Sequence, residues 1–273
     1  VHVGKRRWVL KALKQEMTAH GTIHERHWDG VLTPGLINAH THLQYSGMVQ
    51  VGQGTYDRFR AWELAFNEVY AEAQKTQPWK QWAEDGARQM VESGTTAAAD
   101  IVTDLDAAGA LASQGMHGIA YWEVMGWHNA EWMEKGRTEL IRQLRRMNEE
   151  QLPNLGISPH APYTLESEPF VDLPDIARQL NMRLHIHLAE TPLEAGTYPP
   201  VLTTYSAADW SDHDWESYRQ LKEVGKGASA IQFVDQLGSL GPDVHIAHGV
   251  WANGEDRRIL RQRGVGVALC PRS

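Results

Sequence analysis

The residue pattern predicts an α/β fold on a parallel sheet, and its repetition points to a (β/α)8 TIM-type barrel. Three observations carry this. Short apolar runs alternate with longer amphipathic ones along most of the 273 residues. Gly94, Gly115, Gly238 and Gly264 stand where helices should stop. No Gly-x-Gly-x-x-Gly follows the first apolar run, so a dinucleotide-binding sheet has no support. Strand alternating with helix argues for parallel pairing, and many repeats in a chain of this length suit a barrel. A doubly wound open sheet is the alternative this pattern leaves standing.

Strands are expected at Val31–Ala39, Thr95–Ile101, Gly118–Val124, Leu155–Pro159, Arg183–Leu188, Val244–Ala247 and Val265–Leu269. Helices are expected between them, at Asp57–Lys75, Trp79–Glu92, Asp106–Ser113, Ala130–Glu149, Leu173–Leu180, Trp215–Leu237 and Gly254–Arg263. The first thirty residues break the alternation. Lys5–Met17 reads as helical and the rest is polar, so 1–30 is taken as the remnant of an accessory unit and 31–273 as the barrel. Thr197–His213 is rich in Pro, Tyr, Thr, Ser and Trp and reads as a long loop after the fifth strand.

Composition narrows the class. No apolar run reaches the roughly 18–20 residues that span a membrane. The formal net charge of −8 disfavours nucleic acid and anionic membrane surfaces as partners. A small molecule is the expected partner, and a homo-oligomer is compatible with the sequence. Cys270 is the one cysteine, which excludes an intramolecular disulfide and fits a reducing cytoplasm. The 14 histidines matter because they cluster.

The first cluster is Pro34-Gly35-Leu36-Ile37-Asn38-Ala39-His40-Thr41-His42-Leu43. Residues two apart on a strand face the same way, so His40 and His42 can aim two imidazoles at one point. Neutral imidazoles are good ligands for zinc and similar ions. Such a pair alone is a weak signal; strand-end histidines bonded to backbone are the commoner case. The second cluster, Leu184-His185-Ile186-His187-Leu188-Ala189-Glu190-Thr191, repeats the pair and adds a carboxylate. Water activated at a metal needs a group to take its proton and pass it on, and Glu190 has that chemistry. Standing alone, Glu190 would read as a solvated helix-start residue. His187 is favoured as the ligand because it lies nearer Glu190, with His185 as a supporting or core histidine. His160, in Ser158-Pro159-His160-Ala161-Pro162-Tyr163, closes the fourth strand, and His248, in His245-Ile246-Ala247-His248-Gly249, closes the sixth. Together these put histidines at the C-terminal ends of strands one, four, five and six. Those ends share one face of a parallel barrel, the face that carries active sites.

The stretches PGLINAHTHL, ESGTTAAAD, SPHAPYTL, HIHLAET, IAHG and VALCPRS, in this order, resemble the amidohydrolase superfamily, in its branch of chlorohydrolases and aromatic-amine deaminases. The resemblance runs from about Val31 to Ser273. It implies a (β/α)8 barrel beside a small β-sandwich, and one catalytic divalent metal ion, zinc first and iron as the alternative. It implies His40, His42 and His187 as metal ligands, Glu190 as proton shuttle, and His248 as the histidine that orients water or polarises substrate. Gln44, Tyr45 and His160 fall where substrate contacts are common. Tyr45, Phe59, Trp62, Trp122 and Tyr163 are aromatic candidates to hold a ring, against core packing as the ordinary use of such residues. The family also has an aspartate ligand at the end of strand eight, beyond the CPRS motif. The sequence stops at Ser273, so strand eight and most of the sandwich are expected to lie outside it and the biological protein is expected to be longer.

The implied reaction is hydrolytic removal of an amino group from an electron-poor heteroaromatic ring. The HTHLQYS wording, with no arginine-glycine pair soon after it, is more similar to aminodeoxyfutalosine deaminases of menaquinone biosynthesis than to methylthioadenosine and S-adenosylhomocysteine deaminases. The alternatives are another adenosine-type nucleoside, guanine, a triazine-like ring, or a halide or cyclic amide hydrolysed at the same metal. A non-catalytic relative and a nucleic-acid-binding module are the competing classes; intact site residues argue against the first, and charge against the second.

Overall fold

The computed structural model describes residues 4–272 apart from 17–23, 25, 58, 150–151, 153, 197–220 and 222–223. It divides into two compact units, Val1–Pro34 and Gly35–Ser273. In the first, a helix spans Arg6–Glu16 and none of its residues is buried. The expected helix Lys5–Met17 lies over it, with Met17 outside the described residues.

The second unit is built on strands β1 (Leu36–Thr41), β2 (Thr95–Val102), β3 (His117–Val124), β4 (Leu155–Pro159), β5 (Leu184–Leu188), β6 (Val244–His248) and β7 (Gly266–Leu269). They pair in that order, and every pairing is parallel. Curvature follows from a contact across the sheet. In a flat sheet β1 and β5 would lie about 19 Å apart, four strand spacings. His40 Nδ1 of β1 is instead 3.0 Å from His185 Nε2 of β5. The sheet therefore rolls up, which eliminates the open doubly wound alternative and gives seven strands of a (β/α)8-type barrel.

Each strand of the barrel wall has two chemistries. On β5, Leu184, Ile186 and Leu188 are fully buried and join a core with Phe170, Leu173 and Ile231 from the helical layer. Burying each such side chain contributes about 1.5–3 kcal/mol. The alternate residues, His185 and His187, point the other way, into the barrel.

Several expected boundaries shift for identifiable reasons. β1 begins at Leu36 rather than Val31. Val31 and Leu32 are 82% and 90% exposed, so their apolar character is not used for burial. Gly35 also sits where a Cβ would meet the Thr96 side chain at 2.2 Å. The expected helix Ala130–Glu149 is three pieces: Asn129–Glu131, a wide π turn Trp132–Gly136, and Arg137–Glu149. The turn seats the buried Trp132, whose Nε1 donates to Asp172 Oδ2 at 2.9 Å. The helix expected from Leu173 starts earlier, spanning Ser167–Gln179 with Pro174 inside it. Pro174 has no N–H for the Phe170 carbonyl, and the Ser239 hydroxyl donates to that carbonyl instead, at 2.5 Å.

Within the expected helix Trp215–Leu237, the described segment Ala230–Gln236 is helical. Left-handed Lys226 and Gly227 interrupt it (φ +50° and +80°). Residues 215–220 and 222–223, and the loop expected at Thr197–His213, lie outside the described residues. The helix expected at Asp106–Ser113 is confined to Ala110–Ser113. Helices Trp79–Glu92 and Gly254–Arg263 have the expected bounds. The latter starts at Asn253, whose side chain accepts from Glu255 N and Asp256 N, and stops at left-handed Gly264.

Candidate metal-assisted active site

The C-terminal ends of β1, β4, β5 and β6 deliver their histidines to one place. His40 and His42 rings meet edge-on with centroids 5.0 Å apart. His187 lies 4.9 Å from His40 and 5.5 Å from His248, centroid to centroid. Hydrogen bonds select which nitrogens face inward. His187 Nδ1 donates to the His160 carbonyl at 3.0 Å, so Nε2 keeps its lone pair. His40 Nδ1 is engaged with His185 Nε2, which directs His40 Nε2 inward. His42 Nδ1 is buried and has no hydrogen-bond partner among the described residues.

These residues fit a metal ion. His42 Nε2 and His187 Nε2 are 3.3 Å apart. Two nitrogens at 2.0–2.1 Å from a tetrahedral zinc stand about 3.3–3.4 Å apart. Burial also keeps the rings neutral, as ligation requires. It lowers the His40 pKa to about 4 and holds His42 and His187 well below the usual imidazole range, with neighbouring imidazoles adding to the effect in the latter two. Glu123, His160 and His187 form a second close group. The His187 nitrogen that stands 3.9 Å from Glu123 is Nδ1, which the His160 carbonyl already occupies, so the set His40, His42 and His187 is the better cradle.

Glu190 follows β5 and turns back over this cluster. Its Oε2 accepts from the Tyr163 hydroxyl at 2.8 Å, and its Oε1 lies 3.5 Å from His248 Nε2. Burial raises its pKa to about 7, against the pull of the Tyr163 hydrogen bond. Burial also lowers His248 to about 3, with His40 and His160 contributing. A carboxyl poised near neutrality thus faces a neutral imidazole, the pairing that general acid–base work needs.

A cavity of about 450 Å³ adjoins the cluster, lined among others by Tyr45, Tyr70, Thr103, Trp122, Glu123 and Trp127. That size suits a small-molecule ligand.

A model of the family described as "Amidohydrolase family" matches residues 31–197. The chain belongs to that family. It is 30% identical, over 89% of its length, to a 5-methylthioadenosine/S-adenosylhomocysteine deaminase of Thermococcus kodakarensis, of which it covers 52%. In structure it resembles a zinc-bound adenosine deaminase from Xanthomonas campestris, with TM-score 0.61 and 22% identity over 87% of this chain and 49% of that one. It also resembles the Helicobacter pylori aminofutalosine deaminase in complex with methylthio-coformycin, with TM-score 0.61 and 17% identity over 86% of this chain and 55% of that one. The chain thus spans about half the length of the relatives it matches. Among the described residues no helix is long and apolar enough to cross a membrane.

The residues singled out from sequence divide by geometry. His40, His42, His187, Glu190, His248, His160 and Tyr163 come together. Tyr163 is engaged with Glu190, and His160 Nδ1 pairs with Thr164 Oγ1 at 2.7 Å. Tyr45 stacks on His42, with centroids 5.7 Å apart and planes 17° apart, and also lines the cavity. Gln44 is different. Its Nε2 donates to Thr103 Oγ1 at 2.6 Å and its Oε1 accepts from Thr103 N at 2.8 Å. Both ends of the buried amide tie the segment after His42 to the end of β2, which favours tethering over the expected substrate contact. Trp122 lines the cavity, whereas Phe59 and Trp62 pack into an aromatic row that reaches Tyr163.

Three buried carboxyls close to the cluster escaped the sequence reading. Asp100 Oδ1 accepts from Leu43 N at 2.8 Å and so fixes the backbone beside His42; burial pushes its pKa up to about 8. Glu123 stands 4.0 Å from His160 Nε2 and 3.9 Å from His187 Nδ1, and burial, with Glu190 adding, pushes it up to about 8. Glu194 lies beneath the Glu190 segment. Asp100 closes the quoted ESGTTAAAD stretch and Glu194 closes Thr191-Pro192-Leu193-Glu194, a helix-start signature. Nothing local marks Glu123.

Proposed function

We propose that this chain carries the catalytic barrel of a metal-dependent hydrolytic deaminase acting on the 6-amino group of an adenine-type nucleoside. One observation carries the reading: three neutral imidazoles converge on one point, 3.3 Å between their nearest nitrogens, beside a carboxyl that titrates near 7. Zinc is the ion the nitrogen donor set suits first, with iron as the alternative. His40, His42 and His187 would hold it, and when bound it would activate water and stabilise the charge that develops on attack.

The chain's own residues do the rest. Glu190 takes one proton of the attacking water through Oε1 and gives it to a ring nitrogen. It then carries the second proton, from the hydroxyl added to the ring carbon, to the amino group, so that the C–N bond breaks and ammonia leaves as the carbonyl forms. Tyr163, donating to Oε2, keeps the carboxyl from rotating away. His248 stays neutral and orients water or the substrate's ring edge. Tyr45 and Trp122 offer aromatic walls for a flat base.

Membership of the family and the likeness to adenine-nucleoside deaminases support the substrate class. Within it, the HTHLQYS wording puts aminodeoxyfutalosine first, which would set the enzyme in menaquinone biosynthesis in the cytoplasm. The test is ammonia release by the metal-loaded enzyme over a panel of 6-amino purine nucleosides, including aminodeoxyfutalosine, methylthioadenosine and 5′-deoxyadenosine. Release from at least one is expected. Silence across the panel, with hydrolysis of a chlorinated ring or a lactam, would move the chain to the other hydrolases that share this metal site.

A further inference from the structure

Glu194 is fully buried, and its carboxyl serves the backbone of the segment that carries Glu190. Oε1 accepts from Ala189 N at 3.0 Å, and Oε2 accepts from Glu190 N at 2.8 Å and Thr191 N at 2.9 Å. Three consecutive N–H groups thus converge on one side chain. They can do so because Ala189 is left-handed, with φ +55°, a conformation unfavourable for a residue with a Cβ. The opposite edge of the segment is tied as well. Gly249 N donates to the Leu188 carbonyl and Trp251 N to the Ala189 carbonyl, each at 2.9 Å. Those donors follow His248, itself left-handed at φ +75°. The segment bearing Glu190 and the segment bearing His248 are therefore locked to each other, with Glu194 as the anchor on the buried side.

We propose that Glu194 is a positioning residue, whose carboxyl sets the Ala189–Thr191 backbone and thereby aims Glu190 at His248 and the reacting group. The proposal rests on the reading of Glu190 as proton shuttle. A side chain that merely capped a turn would need no unfavourable backbone beside it. Here the unfavourable Ala189 conformation is what turns the Glu190 side chain back over the cluster, and the Glu194 hydrogen bonds hold that conformation in place.

The test compares Glu194→Gln, Glu194→Asp and Glu190→Gln in the metal-loaded enzyme. Glutamine can keep the two bonds made by Oε2 but turns an N–H against Ala189 N. In Glu194→Gln, metal content and KM are expected to stay within about threefold of the parent, while kcat falls by about tenfold or more. Adding Ala189→Gly, which removes the backbone penalty at φ +55°, is expected to recover at least about threefold of that loss. Glu194→Asp keeps the acid but sits one methylene short; it carries the test if the glutamine variant does not fold, and is expected to show the same split between kcat and KM. Normal kcat in a folded Glu194 variant, with only the melting temperature lowered, would overturn the proposal and leave Glu194 a structural cap. Near-normal turnover in Glu190→Gln would remove the shuttle itself, and the proposal with it, whatever Glu194 does.

Discussion

The two faces of β5 are equally buried and chemically opposite. Outward, Leu184, Ile186 and Leu188 are each fully enclosed by apolar neighbours and need no partner. Inward, His185 and His187 are also enclosed, but every ring nitrogen there needs a hydrogen bond or a ligand. His187 Nδ1 finds the His160 carbonyl and His185 Nε2 finds His40, while His185 Nδ1, and His42 Nδ1 across the barrel, find no hydrogen-bond partner among the described residues. One five-residue strand thus supplies apolar packing on one side and candidate site histidines on the other. The difference teaches that the site is a costly polar interior held in shape by an apolar shell. If so, changes on the two faces should separate activity from stability.

The largest effect should come from the inward side. Glu190→Gln is expected to keep its metal and fold while kcat drops by about 10²–10⁴-fold. Steady-state kinetics alongside metal analysis checks this, and near-normal turnover would take Glu190 out of its role. Next comes the outward face. Ile186→Ala should cost roughly 2–5 kcal/mol of stability, because it removes buried apolar atoms and leaves a cavity in the core. Denaturant melts measure the loss, and turnover per folded molecule should stay within about threefold. If instead turnover collapsed while stability held, the two faces would not be separable. The smallest effect sharpens the inward side. His185 touches no expected substrate but orients His40, so His185→Ala should weaken metal binding by about 10–100-fold. A competition titration with a chelator reads this directly, and unchanged affinity would reduce His185 to packing.

Legibility in the sequence followed how local each determinant is. Helix Gly254–Arg263 was readable because its start at Asn253 and stop at Gly264 are short-range chemistry. β4 was readable at Leu155–Pro159 from its apolar run. Val31 and Leu32 look like strand residues too, but they are exposed among the described residues, and exposure cannot be read from hydropathy. The π turn at Trp132–Gly136 exists because Trp132 must reach Asp172 while Gly136 makes room for the Trp132 and Trp127 rings. No helical period announces it. The helix Ser167–Gln179 runs through Pro174 because Ser239, far along the chain, satisfies the carbonyl that proline leaves open.

By itself the sequence determined which histidines are candidates for one cluster and the address of that cluster at the strand ends. Spacing two apart on a strand aims His40 with His42, and strand alternating with helix gathers strand ends on one face. Only the tertiary structure decided which nitrogen each histidine presents, because the His160 carbonyl and His185 Nε2 that fix this come from other strands. It also decided that Gln44 tethers the end of β2, that Asp100 and Glu194 hold the backbone beside the reactive groups, and that Glu190 titrates near 7. The physical reason is common to all of these. Hydrogen-bond partners and burial belong to the packed molecule, and a residue's own identity specifies neither.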